Sequence, residues 1–512
     1  MSSELLKHCS AQNAELRTQR SNWEIHWQDV ARYILPSASD VYEEHSTKGD
    51  RRHQYIVDST GEHANTLLAG GLHDLLTNPT TRWFALAWKD KLDNNAKAWL
   101  NEVEKTIYRE LREPHVGFSA EMHSMYLNLC AFGTAAMFVG WNEKTNSLYF
   151  NNIPIKEVYI AQNEYNIVDV MYRVSEESSR QIYQKWPETC GTDIKKDVGL
   201  GKADNQQKHK VIHAVFPRNK IIKGLRTKQN KPYASVYYLE GAKEILQEGG
   251  FDTFPYIVPR WGKVASSEVY GRSPAMSALP HVKQLQEIKH TTLVAKQKVA
   301  DPPLTATTDA VIGAVNLLPG GLTYMKPNGQ IVPINTGANP LIVDAEVAAE
   351  RAVIQQLFYN DMFSVRLSGN PTATEVNQRR TETLRQLTPF FGKLSGESSI
   401  PLINRIYSVL EDNFRIKPSP TSQPFDVVVD SAIALAQKTA QLDGLRNFMG
   451  FIGNFAQLAQ AGEISQILKT DDVLREVAEM YGVNAALLNS KEELAALSQR
   501  QRPIVPTGEE NA

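Results

Sequence analysis

The sequence predicts an α+β chain that is mainly helical, and three observations carry that expectation. Helical stretches with apolar residues three and four apart occupy both ends, and short strand-like runs fill the middle of the first half. Two long helical segments then bracket a compact insert rich in Pro and Gly. At 512 residues the chain has room for several structural units. Its 42% hydrophobic and 22% charged content is that of an ordinary globular protein.

Composition also excludes classes. The longest apolar run, around Ala131 to Val139, is interrupted by Gly133 and Thr134 and falls short of the roughly 20 residues that span a bilayer. The N-terminal Met1-Ser-Ser-Glu carries an early charge and no apolar h-region, so no signal peptide is expected and the protein is expected to be made and kept in a cytosol. Cys9, Cys130 and Cys190 stand alone without CxxC spacing, which predicts reduced thiols rather than a disulfide framework or a zinc site. No metal and no cofactor are expected. A formal net charge of −2 argues against a protein that grips a phosphate backbone over a large surface.

In chain order, Leu16, Trp23, Trp27, Val30 and Ile34 mark one buried face of a helix over Glu15 to Ile34, ended by Pro36. Further helices are predicted over Gly61 to Leu76, stopped by Asn78-Pro79, over Asn94 to Arg112 and over Ser119 to Phe132. Ala135 to Trp141 and Ser147 to Asn151 read as a β-hairpin around Asn142 to Asn146. Strand-like runs come next at Val158 to Ala161, Ile167 to Val174, Val211 to Phe216, Ser235 to Leu239 and Tyr256 to Trp261, while polar Gly191 to Lys210 reads as an exposed loop.

From Pro274 to Ala300 the residues Val282, Leu285, Ile288, Thr292, Ala295 and Val299 form a narrow apolar stripe, and Asp301-Pro302-Pro303 ends that helix. In the insert, Leu322 to Met325 and Gln330 to Ile334 are β-like. Asn339 as N-cap and Pro340 at the first helical position begin a second helix that runs to Phe363, with Asp344, Glu346 and Glu350 toward its start. At the helical rise each would be roughly 35 to 40 Å long, which predicts two struts of matched length with a small module at their far end. Ser364 to Pro371 breaks helicity, and Thr372 with Glu375 has capping-box spacing. The next helix, to Phe414, contains Pro389, Gly392, Gly396 and Pro401 and must bend or be interrupted. Phe425 to Val429 reads as a strand, Ser431 to Leu497 as mostly helical, and Gln501 to Ala512 as a disordered tail.

No catalytic residue is assigned. There is no G-x-x-x-x-G-K-[ST] and no G-x-S-x-G, and Gly70-Gly71 and Gly320-Gly321 read as packing or turn glycines. His209 and His213, four apart in a strand, would sit about 13 Å apart and cannot share a metal. His63 and His73 read as capping or interface residues on helices, and Trp83, Trp88 and Trp99 as core.

Four local signatures stand in the order found in the podovirus head-to-tail connecting, or portal, protein family of short-tailed double-stranded DNA bacteriophages. Leu68-Ala-Gly-Gly-Leu-His-Asp-Leu-Leu-Thr-Asn-Pro79 with Arg82-Trp83-Phe84 resembles the family's N-terminal helix and the loop leaving it. Phe132-Gly-Thr-Ala-Ala-Met-Phe-Val139 resembles its first wing strand, Tyr270-Gly-Arg-Ser-Pro-Ala-Met276 with Ala278-Leu-Pro280 the start of its first stem helix, and Thr372-Ala-Thr-Glu-Val376 with Arg379 the segment after its tunnel loop. The resemblance covers about three-quarters of the chain and fades after about Val429.

It implies a portal fold with a β-containing wing (1–273 and 372–430), stem helices (274–300 and 340–363), a clip (301–339), a tunnel loop (364–371) and a helical crown (431–500) ahead of a tail at 501–512. It also implies a dodecameric ring around an axial channel at the unique capsid vertex, through which double-stranded DNA is packaged and ejected without sequence-specific contact. The implied partners are the terminase large subunit, then a tail adaptor or tail tube protein, together with scaffolding and major capsid proteins. The implied location is the virion, after assembly in the host cytoplasm. On this reading Lys289 with Lys296, or Lys283 with His290 on a neighbouring face, are candidates for rings of charge toward the channel, with solvated outer-face or intersubunit positions of equal weight. Arg366 in the tunnel loop is a phosphate-contact candidate, and Glu375 with Arg379 is expected to form a surface or intersubunit pair. Two alternatives stay open: a nucleic-acid-processing or other hydrolase with dispersed carboxylates, and a different virion component such as a tail adaptor.

Overall fold

The computed structural model describes residues 2–38, 40–42, 51–88, 94–199, 208–218, 227–241, 244–307, 310–334, 340–363, 392–421 and 424–429. The expected tunnel loop, crown and tail, and Asn339, lie outside the described residues. What is described belongs to one compact unit, Met1–Val429.

Helix α1 (Ser2–Ile34) lies along a five-stranded antiparallel sheet with strand order β4 (Val158–Gln162), β5 (Val168–Ser178), β6 (Lys208–Pro217), β7 (Tyr233–Leu239) and β8 (Ile245–Phe251). The helix begins thirteen residues before the sequence expectation of Glu15, because over that stretch the buried stripe is only Leu6, Cys9 and the polar Asn13, too sparse a pattern to mark it. Leu6, Cys9 and Leu16 pack on Tyr172, Ile212 and Tyr238 of the sheet. Arg20, 1% exposed, donates to the carbonyls of Ile155, Lys156 and Val158 at 2.7–3.0 Å and lies 3.9 Å from the Tyr159 ring. A buried guanidinium is tolerated here because backbone acceptors replace its water.

The expected loop at 191–210 is corrected. Helix α5 (Ser179–Lys185) is followed by α6 (Thr192–Gly199), whose Ile194 joins Ile182, Trp186, Cys190 and Leu246 in a second apolar cluster. A single buried isoleucine on a short helix leaves too little periodicity to be seen in sequence. Strand β9 reaches only Tyr256–Ile257, shorter than expected, and completes a sheet of order β3 (Ser147–Ile153), β2 (Ala136–Asn142), β9. Helices α2 (Thr60–Leu76), α3 (Asn94–Arg112) and α4 (Phe118–Phe132) stand at their expected positions. The late strand β12 (Phe425–Val429) returns to pair antiparallel with β1 (Phe84–Trp88).

Helix α7 (Pro274–Ala300) matches its expected bounds, but the matched struts do not form. Helix α8 (Pro340–Leu357) has 18 residues against 27 for α7, about 27 Å against about 40 Å. The chain breaks at buried Phe358 and at Tyr359, whose φ of 56° is left-handed, before the four-residue α9 (Asn360–Phe363). No Gly or Pro announces that break. In the insert, β10 (Leu304–Ala306) pairs with β11 (Ile331–Pro333), whereas the expected strand at Leu322–Met325 is reduced to a bridge between Met325 and Val311. The expected interruption before Phe414 is a π-turn, Ser395–Ser399, ahead of α10 (Ile400–Asp412).

The second and third signatures meet at the C-terminus of α4 and the start of α7. A Cβ on Gly271 would lie 2.3 Å from the Gly133 carbonyl oxygen, and one on Gly133, at φ 73°, would lie 2.4 Å from that of Gly271. The neighbouring polar groups hold this contact. Gly271 N donates to Thr134 Oγ1 at 2.8 Å, Trp261 N to Gly133 O at 2.9 Å, and Ser273 Oγ to Ala131 O at 2.7 Å. Ser273 also caps α7 by accepting from Met276 N, with Pro274 at the first turn. Beside them Arg260, 1% exposed, grips both oxygens of Glu397 in the π-turn and bonds Gln162 and the Val269 carbonyl. Gly271→Ala is therefore expected to destabilise by about 3 kcal/mol. Gly70→Ala, mid-helix in α2 with nothing within 4 Å, is expected to stabilise by about 0.5–1 kcal/mol. Thermal unfolding of the two variants beside the parent checks both signs.

Candidate channel hairpin

Helices α7 and α8 run antiparallel and are joined by side chains along their length. His281 Nδ1 and Gln284 Nε2 reach the two oxygens of Glu350 at 3.0 and 3.1 Å, and nearer the insert Lys296 pairs with Asp344 at 2.9 Å. The base of the pair is held on α1 and on the segment ahead of α2. Lys283 pairs with Asp29 at 2.8 Å and lies over the Tyr33 ring. Gln286 Oε1 accepts from the backbone N–H groups of Val57 and Asp58 at 2.7 and 2.8 Å, while its Nε2 donates to the Asp58 carbonyl at 2.8 Å.

Asp58 is the electrostatic centre of that base. Its carboxylate is 3% exposed, accepts from Thr60 N and Thr60 Oγ1 on one oxygen, and takes Arg351 Nε at 3.1 Å on the other. Burial pushes the carboxyl up, but the Thr60 and Arg351 hydrogen bonds outweigh it and hold the group below its ordinary value. One side chain thus fastens α8 to the start of α2.

Toward the insert the support ends. The buried residues of α7 stop at Thr292, and Leu293 and Val299 are 49% and 52% exposed. The stripe that the sequence predicts through Val299 is covered at its base and bare at its tip. Between 301 and 334 the chain carries only Asp301, Asp309 and Lys326 as charges. Ile312, Leu317, Leu318, Leu322 and Tyr324 there are 55–73% exposed.

The structure locates four of the proposed channel residues. Lys283 and Lys296 are ion-paired as above, His290 is exposed, and Lys289 borders a groove with Asp58, His63, Leu293 and Arg351. Arg366, Thr372, Glu375 and Arg379 lie outside the described residues. Sequence reasoning does not single out Asp58, Gln286, Arg351 or Glu350 for this role. For Asp58 a signal exists, an Asp two residues ahead of Thr60 at a helix start; for Gln286 and Arg351 none does, since their partners lie more than 200 residues away.

Cys9, Cys130 and Cys190 are free and buried, and burial raises the Cys9 thiol to about 11 and the Cys130 thiol further. His209 bonds Ser179, while His213 is buried between Tyr256 and Ser235, where burial lowers its value to about 3. His73 joins Thr77 to Ser119 of α4. Trp83 is buried, and Trp88 stacks on Trp99 with centroids 6.0 Å apart. Among the described residues no group of three or more His, Cys, Asp or Glu could hold a metal ion, and no helix is long and apolar enough to cross a membrane.

Asp58→Asn is expected to lose about 1–2 kcal/mol at neutral pH, the usual loss for a hydrogen bond to a charged group with a half-exposed partner. Because the folded value is depressed, this stability is complete above the unfolded carboxylate value near ~3.9 and fades as pH falls below it. The gap in melting temperature between parent and variant should therefore close below about pH 4.

Comparison with known proteins places the chain in a family. The family described as bacteriophage head to tail connecting protein matches residues 6–488. The chain is 31% identical over 509 residues to a probable portal protein of Bordetella phage BPP-1, covering 95% of this chain and 89% of that protein. It is 30% identical over 508 residues to a portal protein of Salmonella phage epsilon15, covering 96% and 90%. A match to a solved chain from the virion of a native gene transfer agent particle covers 83% of this chain and 95% of that one, at 11% identity and a TM-score of 0.38. With its four signatures falling inside a match that runs nearly end to end, the chain belongs to the bacteriophage head-to-tail connecting, or portal, protein family.

Proposed function

We propose that the chain, a phage portal protein by family, works as one subunit of a closed dodecameric ring whose α7–α8 hairpins surround an axial channel for double-stranded DNA. The observation that carries this reading is the hairpin fixed at its base and bare toward its tip. An apolar face and a charge-poor insert left open on one chain call for neighbouring copies and docking proteins to cover them. The function asks for no chemical step of this chain: the motor that hydrolyses ATP during packaging is a separate protein.

The insert, as the clip, docks the terminase large subunit during packaging and a tail adaptor afterwards, at the unique capsid vertex of the virion; the wing meets scaffolding and major capsid proteins as the head assembles in the host cytoplasm. Passage of DNA favours weak contact, because each phosphate neutralised adds a salt-dependent term that moving DNA must release again. A chain of net charge −2 suits that, with Lys289, Lys296, Lys283 and His290 as the candidate charges on the stem and Arg366 as the candidate at the narrowest point.

Mass photometry with negative-stain imaging is expected to show rings of about a dozen copies with a central hole. A monomer or dimer that persists across concentration and salt would contradict the reading. In rings, the double substitution Lys289→Glu and Lys296→Glu is expected to alter the salt dependence of DNA retention while ring mass stays unchanged.

A further inference from the structure

The first signature does more than end a helix. After α2 the chain turns through Asn78-Pro79, where Asn78 Oδ1 accepts from Thr80 N at 2.8 Å and from Thr80 Oγ1 at 2.6 Å, and then passes Arg82-Trp83-Phe84. The Tyr108 hydroxyl of α3 fixes that passage, accepting from Trp83 N and Phe84 N and donating to the Phe84 carbonyl, all at 2.9 Å. Between this wall, the end of α3 and the start of α4 lies a groove of about 450 Å³. Its floor is apolar, formed by Trp83, Leu111 and Phe118, and Pro114 and Ala120 also border it.

At one end the groove runs into a second hollow that shares Tyr108, Arg112, Glu113 and Pro114 and adds Arg82, Lys105 and Arg109. Four cations and one carboxylate, Glu113, line this mouth. Glu104 and Glu110 of α3 are buried and pair with Arg82 and Arg109 at 3.3 and 3.5 Å, yet both arginine side chains stay 65% exposed. The result is an apolar slot that opens onto a cationic mouth.

We propose that this groove docks a segment of another head protein, one that places an apolar side chain in the slot and the acidic residues beside it on Arg82, Lys105, Arg109 and Arg112. The proposal rests on the reading of this N-terminal part as a wing that meets other head proteins. Charge complementarity selects an acidic partner, and the slot selects a polypeptide over a nucleic acid. A phosphate backbone would use the cations and leave the apolar slot wet. The hydrogen-bonded walls make the site preformed, so a segment that binds has little of the groove to order.

The test uses the full chain. Short random peptides displayed on phage are selected on the parent protein and counter-selected on the double variant Lys105→Glu, Arg109→Glu, both substitutions lying on the exposed side of α3. The expected result is convergence on an apolar anchor beside acidic residues, with binding at least about tenfold weaker to the double variant and to Ala120→Glu, which fills the slot from an exposed position. Failure to enrich any sequence on the parent over the double variant, or convergence on basic or uncharged peptides, would overturn the proposal. So would a short duplex DNA that binds the parent and is lost in the double variant while no peptide is enriched. Ring mass measured on the same samples reports separately on the portal reading: intact rings with no acidic-peptide binding remove this groove alone.

Discussion

The contact between the backbones of Gly133 and Gly271 is the constraint on which the rest of the structure depends. Two carbonyl oxygens occupy the places where side chains would begin, so the end of α4 and the start of α7 approach as closely as backbone allows. Everything near this point is arranged to keep them there. Trp261 N, Thr134 and Ser273 bind the strands of chain that meet, and Trp27 of α1 donates to the Phe132 carbonyl one residue before the glycine. Tyr270 closes the cluster against Trp23 and Trp27, at 5.9 and 5.1 Å between centroids. A long helix planted on such a seat has its direction set before any partner arrives.

Helix α7 itself divides into a fastened half and an open half. Lys283, Gln286 and, from α8, Arg351 reach α1 and the start of α2, and their hydrogen bonds are satisfied within the one chain. Beyond Thr292 the same apolar stripe continues exposed. On the proposed reading, neighbouring copies of the chain cover that open half. The assembly on that reading is a ring, and a near-neutral chain suits a passage through which DNA slides.

Much of this is legible in the sequence where a local signal marks it. The bounds of α3, α7 and β12 stem from Pro, Asp-Pro-Pro and turn residues that stand beside them. Where the deciding partner is distant, the sequence is silent. The first half of α1 is hidden because its buried stripe offers only Leu6, Cys9 and the polar Asn13 ahead of Leu16. The break after α8 has no Gly or Pro and arises from Phe358 packing. For the candidate site, charge spacing points to Lys283, Lys289 and Lys296, but Asp58 with Arg351 and Gln286, which hold the hairpin, join residues far apart in the chain. The groove beside Trp83 has no signal of its own: its aromatic residues are core, as expected, yet they form the floor of a surface slot with a charged mouth.

The central claim is that a hairpin seated on the glycine contact lines an axial channel. A cryo-EM reconstruction of the assembled protein tests it most directly. The account predicts a closed ring in which α7 and α8 of every copy face the axis, Leu293 and the stripe's tip at Val299 are covered by an adjacent copy, and Gly133 and Gly271 remain in backbone contact. A closed assembly whose hairpins point outward, or whose axis is lined by the five-stranded sheet instead, would contradict it.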